Sequence, residues 1–183
     1  YTVKTPIETP ADLKGLKIRV QQSPTNVEMM RLLGGTATPM GFGDVYTALQ
    51  AGILDGAENN ELALPDNGHG DICKYYSYDM HQMVPDLLVA NYEFLHGLSD
   101  DERLIFEEGF ELVKETEQNA WADAVSIAKD KAENEQHVQF LYPDTAPFQE
   151  AMAPLHTSVL KANPELQPIY DLIQAYNAAH QAD

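Results

Sequence analysis

The first third of the chain alternates strand-like and helix-like segments, and this alternation limits the possible folds more than any other feature. Leu16–Val20 and Thr36–Met40 have the residues of short buried strands. Ser23-Pro24 begins a helix between them, with serine as the cap and proline at the first helical position. Asp44–Ala51, with apolar residues at helical spacing, is a second helix. Strands joined by helical crossovers lie parallel in one sheet, so the pattern predicts an α/β fold.

Ligands of such sheets bind at the carboxyl ends of the strands, near the point where the strand order reverses. Arg19 and Phe42 lie at or just past two predicted strand ends, so we expect both at one site. A guanidinium is always charged and can bind a carboxylate through two parallel hydrogen bonds. The alternatives are a surface arginine paired with an acidic side chain and a phenylalanine of the core.

The segment Asp55–Asn60, DGAENN, places short polar side chains around a glycine directly after the second helix. This composition suits a loop that presents hydrogen-bonding groups, and it suits an ordinary solvated turn equally well.

The second half of the chain is mostly helical. Lys74–Met80 and Leu87–Tyr92 are strand candidates, and Ser99 with Glu102 forms a capping box at the start of a long apolar pattern. We expect one helix from there to about Glu135, bent at Gly109, with two helices broken at that glycine as the alternative. His137–Leu141 is predicted to be a strand, Pro147–Lys161 a helix, and the segment from Asn163-Pro164 to about Ala179 a last helix.

Charge restricts the possible partners. The 183 residues carry a formal net charge of −18. We therefore expect neither nucleic acid nor an anionic membrane surface as a partner, although an anionic ligand can still bind at a local cation. Cys73 is the single cysteine, so no internal disulfide is possible. No apolar run approaches the roughly 18 residues of a membrane helix.

Four linked motifs, in matching order and spacing, closely resemble the solute-binding proteins of tripartite ATP-independent periplasmic (TRAP) transporters. The motifs are DLKGLKIRV at Asp12–Val20, TPMGF at Thr38–Phe42, DVYTALQ at Asp44–Gln50 and DGAENN at Asp55–Asn60. The resemblance covers essentially the whole chain. It implies a type II periplasmic-binding-protein-like fold with two α/β lobes, hinge-crossing strands and a long brace helix.

The resemblance also implies that the N-terminal lobe is largely missing from this chain. We expect residues 1–92 to form the second lobe with hinge strands, and residues 93–183 to form the brace helix and C-terminal helices. If so, the brace helix should expose apolar side chains such as Ile105 or Trp121.

The resemblance assigns a set of ligand-binding residues. Arg19 aligns with the arginine that clamps the ligand carboxylate, Phe42 with an aromatic that packs on the ligand, and Asn59 with a ligand-binding asparagine. Gln22 and His81 fall at positions that often line the cleft but vary across the family. No metal ligands, cofactor or catalytic residues are expected.

The function implied is capture of a small organic acid, either a dicarboxylate or a sugar acid such as a uronate, and its delivery to TRAP permease subunits in the membrane. We expect a periplasmic or extracytoplasmic monomer, with lipid anchoring left open. The alternative is a metal- or carboxylate-dependent hydrolase that uses Asp55, Glu58 and His81. Geometry separates the two, because catalysis requires these three side chains to converge within hydrogen-bonding reach.

Overall fold

The computed structural model of the protein describes residues 1–180. Within them the strands are β1 (Lys17–Val20), β2 (Thr36–Pro39), β3 (Gly56–Ala57), β4 (Tyr75–Ser77) and β5 (Gln139–Leu141). The α-helices are α1 (Pro24–Leu32), α2 (Val45–Gln50), α3 (Ala63–Asp66), α4 (His69–Ile72), α5 (Tyr92–His96), α6 (Asp100–Asn134), α7 (Ala146–Ala162) and α8 (Gln167–Ala179). Short 3-10 turns occur at Pro10–Leu13, Phe42–Asp44 and Pro164–Leu166.

Strand β1 is the centre of a three-stranded parallel sheet of order β2-β1-β3. Arg19 of β1 lies opposite Thr38 on one side and Ala57 on the other. The chain thus passes from β1 to β2, and then crosses to the other side of β1. The order reverses at β1, and the predicted parallel α/β arrangement is confirmed.

The first residues of the chain join this sheet to a second one. Thr2 forms antiparallel bridges to Gly56 of β3 and to Tyr75 of β4, and β4 pairs with β5 in parallel. Because both bridges are antiparallel, β3 and β4 run in the same direction. The carboxyl ends of all five strands therefore lie on one edge, which we call the carboxyl edge.

Three apolar clusters hold these elements together. The first joins β1 and α1 to α7, through buried side chains that include Val20, Met30 and Phe148. The second packs α2 against β3. The third fixes the C-terminal end of α6 to the second sheet, where Ala132 is completely buried among Leu64, Tyr76 and Val138.

The long helix is a single element. α6 runs for 35 residues without a break at Gly109, and Ser99 and Glu102 form its capping box. Most of it has no cover among the described residues: Ile105 is 68% exposed and Trp121 40%. The predicted uninterrupted helix and its exposed apolar side chains are both confirmed. No helix within residues 1–180 has the length and apolar composition that crossing a bilayer requires.

The predicted strand Leu87–Tyr92 is wrong. Residues 82–91 have no regular structure and are exposed, and α5 begins at Tyr92. A strand forms only where a neighbour accepts and donates backbone hydrogen bonds, and no other part of the described chain lies beside this segment as a strand. The division of the chain at residue 92 stays a prediction.

The third cluster generates a stability prediction. Ala132→Leu adds three carbon atoms where the helix packs most closely, and overpacking of this kind costs about 1–3 kcal/mol. Ala120→Leu makes the same change on the exposed surface of the same helix, where we expect an effect within about 0.5 kcal/mol. Urea unfolding midpoints measure both. Equal stability of the two variants would contradict the packing of α6 against the second sheet.

Candidate functional site

All five residues assigned from the sequence follow strand ends on the carboxyl edge or lie at one, and Gln22 comes two residues after β1. Arg19 is the third residue of β1, Phe42 follows β2, Asn59 follows β3 and His81 follows β4. Parallel strands bring these positions to the same edge, and the reversal of strand order at β1 makes the edge a switch point.

The Arg19 side chain is buried, with only 5% of the residue exposed. Its Nε donates a hydrogen bond of 3.0 Å to the carbonyl oxygen of Met40. The end of the guanidinium lies 3.7 Å from Oε1 of Glu58, and its carbon atom lies 5.7 Å from the centre of the Phe42 ring. The alternative is therefore wrong about a surface position, since this arginine is buried, but the pairing with an acidic side chain that it expected is present with Glu58.

Phe42 belongs to a small group of rings beside Arg19. It is 38% exposed, and its ring centre lies 5.5 Å from that of His69. His69 is buried and contacts the Tyr1 hydroxyl through Nδ1 at 2.6 Å. Burial, followed by the charge of Arg19, lowers the pKa of His69, so the imidazole is a neutral support. Phe42 is thus partly exposed beside Arg19 and His69, unlike a core phenylalanine.

Glu58 brings a carboxylate into the same region. Its side chain is only 11% exposed, and Oε1 accepts a hydrogen bond of 3.3 Å from the backbone nitrogen of Gln21. Burial raises the pKa of the Glu58 carboxyl, while the charges of His81 and Arg19 act in the opposite direction. The carboxylate is therefore largely buried and lies near both Arg19 and His81.

Asn59 is positioned through its backbone. The Tyr76 hydroxyl donates a hydrogen bond of 2.9 Å to the Asn59 carbonyl oxygen. The side-chain oxygen of Asn59 accepts a hydrogen bond of 2.8 Å from the backbone nitrogen of Asn60. The side-chain NH₂ group of Asn59 takes no part in this bond and can donate to another partner.

The two remaining assigned residues differ in setting. His81 is half-buried, and its Nδ1 lies 2.5 Å from Oδ1 of Asp79. Gln22 is fully exposed just beyond the end of β1. The structure thus brings His81 near Glu58, and leaves Gln22 exposed at the same edge.

Sequence reasoning missed two residues of this arrangement. Glu58 was assigned only to the polar loop and to the hydrolase alternative, and Tyr76 was placed in a strand candidate without a role in the site. The loop motif that contains Glu58 was visible, but nothing in its spacing indicates that the carboxylate faces a cation 39 positions earlier in the chain.

The hydrolase alternative lacks its required geometry in the described part of the chain. Asp55 accepts a hydrogen bond from the Lys17 backbone nitrogen at 2.8 Å, so its carboxylate belongs to the sheet. His81 pairs with Asp79, and Glu58 with Gln21. The three groups do not hydrogen-bond to one another, and residues 1–180 contain no cluster of three metal-ligating side chains.

Two cavities of the described chain are lined by none of Arg19, Phe42, Glu58, Asn59 and His81. One of about 230 Å³ is between α5 and α6 and is lined by Tyr92, Arg103 and Phe110 among others. The other, of about 370 Å³, lies beside Tyr142 and Asp144.

Comparison with known proteins relates the whole arrangement to one family. The family model described as bacterial extracellular solute-binding protein, family 7 (DctP), matches residues 1–163. A TRAP periplasmic solute-binding protein from Anaerococcus prevotii, solved with bound α/β D-glucuronate, is 60% identical, with a TM-score of 0.88 over 98% of this chain and 58% of that one.

Two further proteins are similar over most of the chain. A TRAP periplasmic solute-binding protein from a Sulfitobacter species, with bound β-D-galacturonate, is 31% identical, with a TM-score of 0.85 over 94% of this chain and 57% of that one. The uncharacterized protein YiiZ of Salmonella typhimurium is 41% identical over 95% of this chain and 53% of its own length. The chain thus spans about half the length of the curated relatives it matches. On this match, the chain belongs to family 7 of the bacterial extracellular solute-binding proteins, the DctP family.

Proposed function

We propose that the chain is the ligand-binding part of a solute-binding protein that captures a sugar acid, with a hexuronate such as D-glucuronate or D-galacturonate as the ligand. The observation that carries the proposal is the Arg19 guanidinium, which is buried at the switch point of the sheet beside the half-exposed ring of Phe42. A carboxylate is the partner that such a cation selects.

The remaining residues of the edge supply what a hydroxylated acid needs besides charge. The free amide hydrogens of Asn59 can donate to a hydroxyl or carboxylate oxygen. His81 offers a further polar group from the neighbouring strand end, and Gln22 lies at the rim. The ring of Phe42 provides an apolar surface on which the face of a sugar ring that carries C–H groups can pack. The uronates bound to similar proteins from Anaerococcus and Sulfitobacter support this ligand class.

We further propose that the protein works outside the cytoplasm, as a periplasmic or surface-anchored monomer. It would hand its ligand to TRAP permease subunits, and the ligand would leave chemically unchanged. The extracellular solute-binding family to which the chain belongs supports the location, and the similar TRAP solute-binding proteins support the permease partner.

The first test concerns Arg19 in the full-length protein that carries this sequence. Arg19→Lys keeps the charge but loses one of two parallel hydrogen bonds. Charge-assisted hydrogen bonds contribute about 1.5–3 kcal/mol each, so we expect affinity for D-glucuronate to fall ten- to a hundredfold. Arg19→Ala leaves the ligand carboxylate without a cation and should lower affinity further, by about 3–5 kcal/mol. Titration calorimetry measures both.

Thermal melts are a necessary control, because Arg19 also supports the Met40 carbonyl. Arg31→Ala is a matched variant, since this arginine pairs with Glu28 on the exposed surface of α1 and should not affect ligand affinity. Wild-type affinity in a folded Arg19→Ala protein would contradict the proposed role.

The second test concerns the aromatic contact. Phe42→Ala removes the apolar surface beside the guanidinium, and we expect affinity to fall about tenfold, because an aromatic contact contributes roughly 0.5–1.5 kcal/mol beyond its area. Ile53→Ala removes an apolar side chain that is 55% exposed after α2, and it should bind like the wild type. Equal affinities of the two variants would show that Phe42 does not contact the ligand.

A further inference from the structure

The carboxylate of Glu58 faces the cation that the proposed ligand needs. Its Oε1 lies 3.7 Å from Nη1 of Arg19, and the two side chains are only 11% and 6% exposed. Charge-assisted hydrogen bonds between nitrogen and oxygen are about 2.7–2.9 Å long. The two groups are therefore close enough to balance charge but too far apart for a direct hydrogen bond, so a second carboxylate can approach without first breaking one.

Glu58 is also held independently of Arg19. The backbone nitrogen of Gln21 donates to Oε1 of Glu58. The loop that carries Glu58 is attached to β4 through the hydrogen bond from Tyr76 to the Asn59 carbonyl. When another anion takes the guanidinium, Glu58 consequently stays where it is and does not swing into solvent.

We propose that Glu58 is the resting counter-ion of Arg19, that the ligand carboxylate replaces it in this role, and that Glu58 takes up one proton from water when the acid binds. This inference rests on the proposed function. The proton joins a carboxylate oxygen of Glu58, and no other bond forms or breaks.

Electrostatics determines the direction in which the pKa of Glu58 changes when the ligand binds. Two carboxylates at one guanidinium repel each other, and the more buried of the two is neutralised by a proton. Burial already raises the pKa of Glu58 in the ligand-free protein, and the Arg19 charge is one of the influences that holds it down. A ligand anion cancels that influence and adds a like charge, so the pKa of Glu58 rises further in the complex.

Other charged and titratable groups surround Glu58, and they also influence its pKa. Arg19 faces it from β1, and His81, which pairs with Asp79, faces it from the segment after β4. Tyr76 on β4 and the amino group and hydroxyl of Tyr1 complete the surroundings.

The pH dependence follows from the two pKa values of Glu58. Between the value without ligand and the higher value with ligand, the complex holds more protons than the free protein. Affinity therefore falls as pH rises through that window, by up to tenfold per pH unit, and levels off above it. Replacing Glu58 by a side chain that is neutral at every pH should remove this pH dependence of the affinity.

The experiment is titration of the full-length protein with D-glucuronate from about pH 5 to pH 8, in pairs of buffers with different ionisation enthalpies. The difference in heat between the buffers gives the number of protons taken up. For the wild type we expect uptake that rises to nearly one proton within the window. Glu58→Gln keeps an oxygen for the Gln21 nitrogen, and we expect it to take up no proton and to bind more tightly than the wild type at the high end of the range.

Two variants sharpen the result. Glu58→Asp retains a titratable carboxyl and should retain proton uptake. Glu61→Gln makes the same chemical change three residues later, where the carboxylate accepts a hydrogen bond from the Tyr78 hydroxyl at 2.7 Å, and it should behave like the wild type.

Three results would overturn the inference: wild-type binding without proton uptake, undiminished uptake in Glu58→Gln, or weaker binding by Glu58→Gln across the whole pH range. The titrations of the wild-type protein alone show whether binding takes up a proton, so the inference can be tested even if Glu58→Gln does not fold. Failure of the wild type to bind any uronate at any pH is a different result, which overturns the proposed function on which the inference stands.

Discussion

A buried guanidinium must be balanced by charge and hydrogen-bond acceptors, and the arrangement of the carboxyl edge follows from this requirement at Arg19. The Met40 carbonyl at the end of β2 accepts from its Nε, Glu58 after β3 supplies a carboxylate, and Phe42 covers one side. These three groups come from different segments, and only the central position of β1 between β2 and β3 brings them together. The sheet order therefore buries the cation of a strand residue among these three groups at the carboxyl edge.

Local charge outweighs net charge at such a site. The chain carries a formal net charge of −18, which repels an anion at long range. Salt screens exposed charges beyond about 8–10 Å, whereas a desolvated cation in contact with its partner is screened far less. An acidic protein can therefore hold an acidic ligand if one cation is buried where the ligand carboxylate arrives. We propose that the same burial makes the protonation of the neighbouring Glu58 carboxylate part of the binding equilibrium.

The sequence predicted the parallel α/β arrangement, the capping box at Ser99 and the uninterrupted α6, because these depend on local signals: alternation, caps and helical periodicity. It predicted the strand ends at which Arg19 and Phe42 lie for the same reason. The sequence could not predict that Glu58 faces Arg19. That contact depends on how β1, β2 and β3 pair and twist in the folded sheet. The strand expected at Leu87–Tyr92 failed because pairing, and not propensity, makes a strand. The apolar sequence of that segment is the same whether or not a partner strand lies beside it, so the sequence alone could not show that the partner is absent from the described chain.

The central claim is that the Arg19 guanidinium receives the ligand carboxylate at the switch point of the sheet. A crystal structure of the full-length protein with D-glucuronate tests it most directly. We expect the uronate carboxylate oxygens within about 2.7–2.9 Å of the Arg19 nitrogens, with the sugar ring beside Phe42. A uronate bound with its carboxylate on another cation, and Arg19 still facing Glu58 alone, would contradict the account.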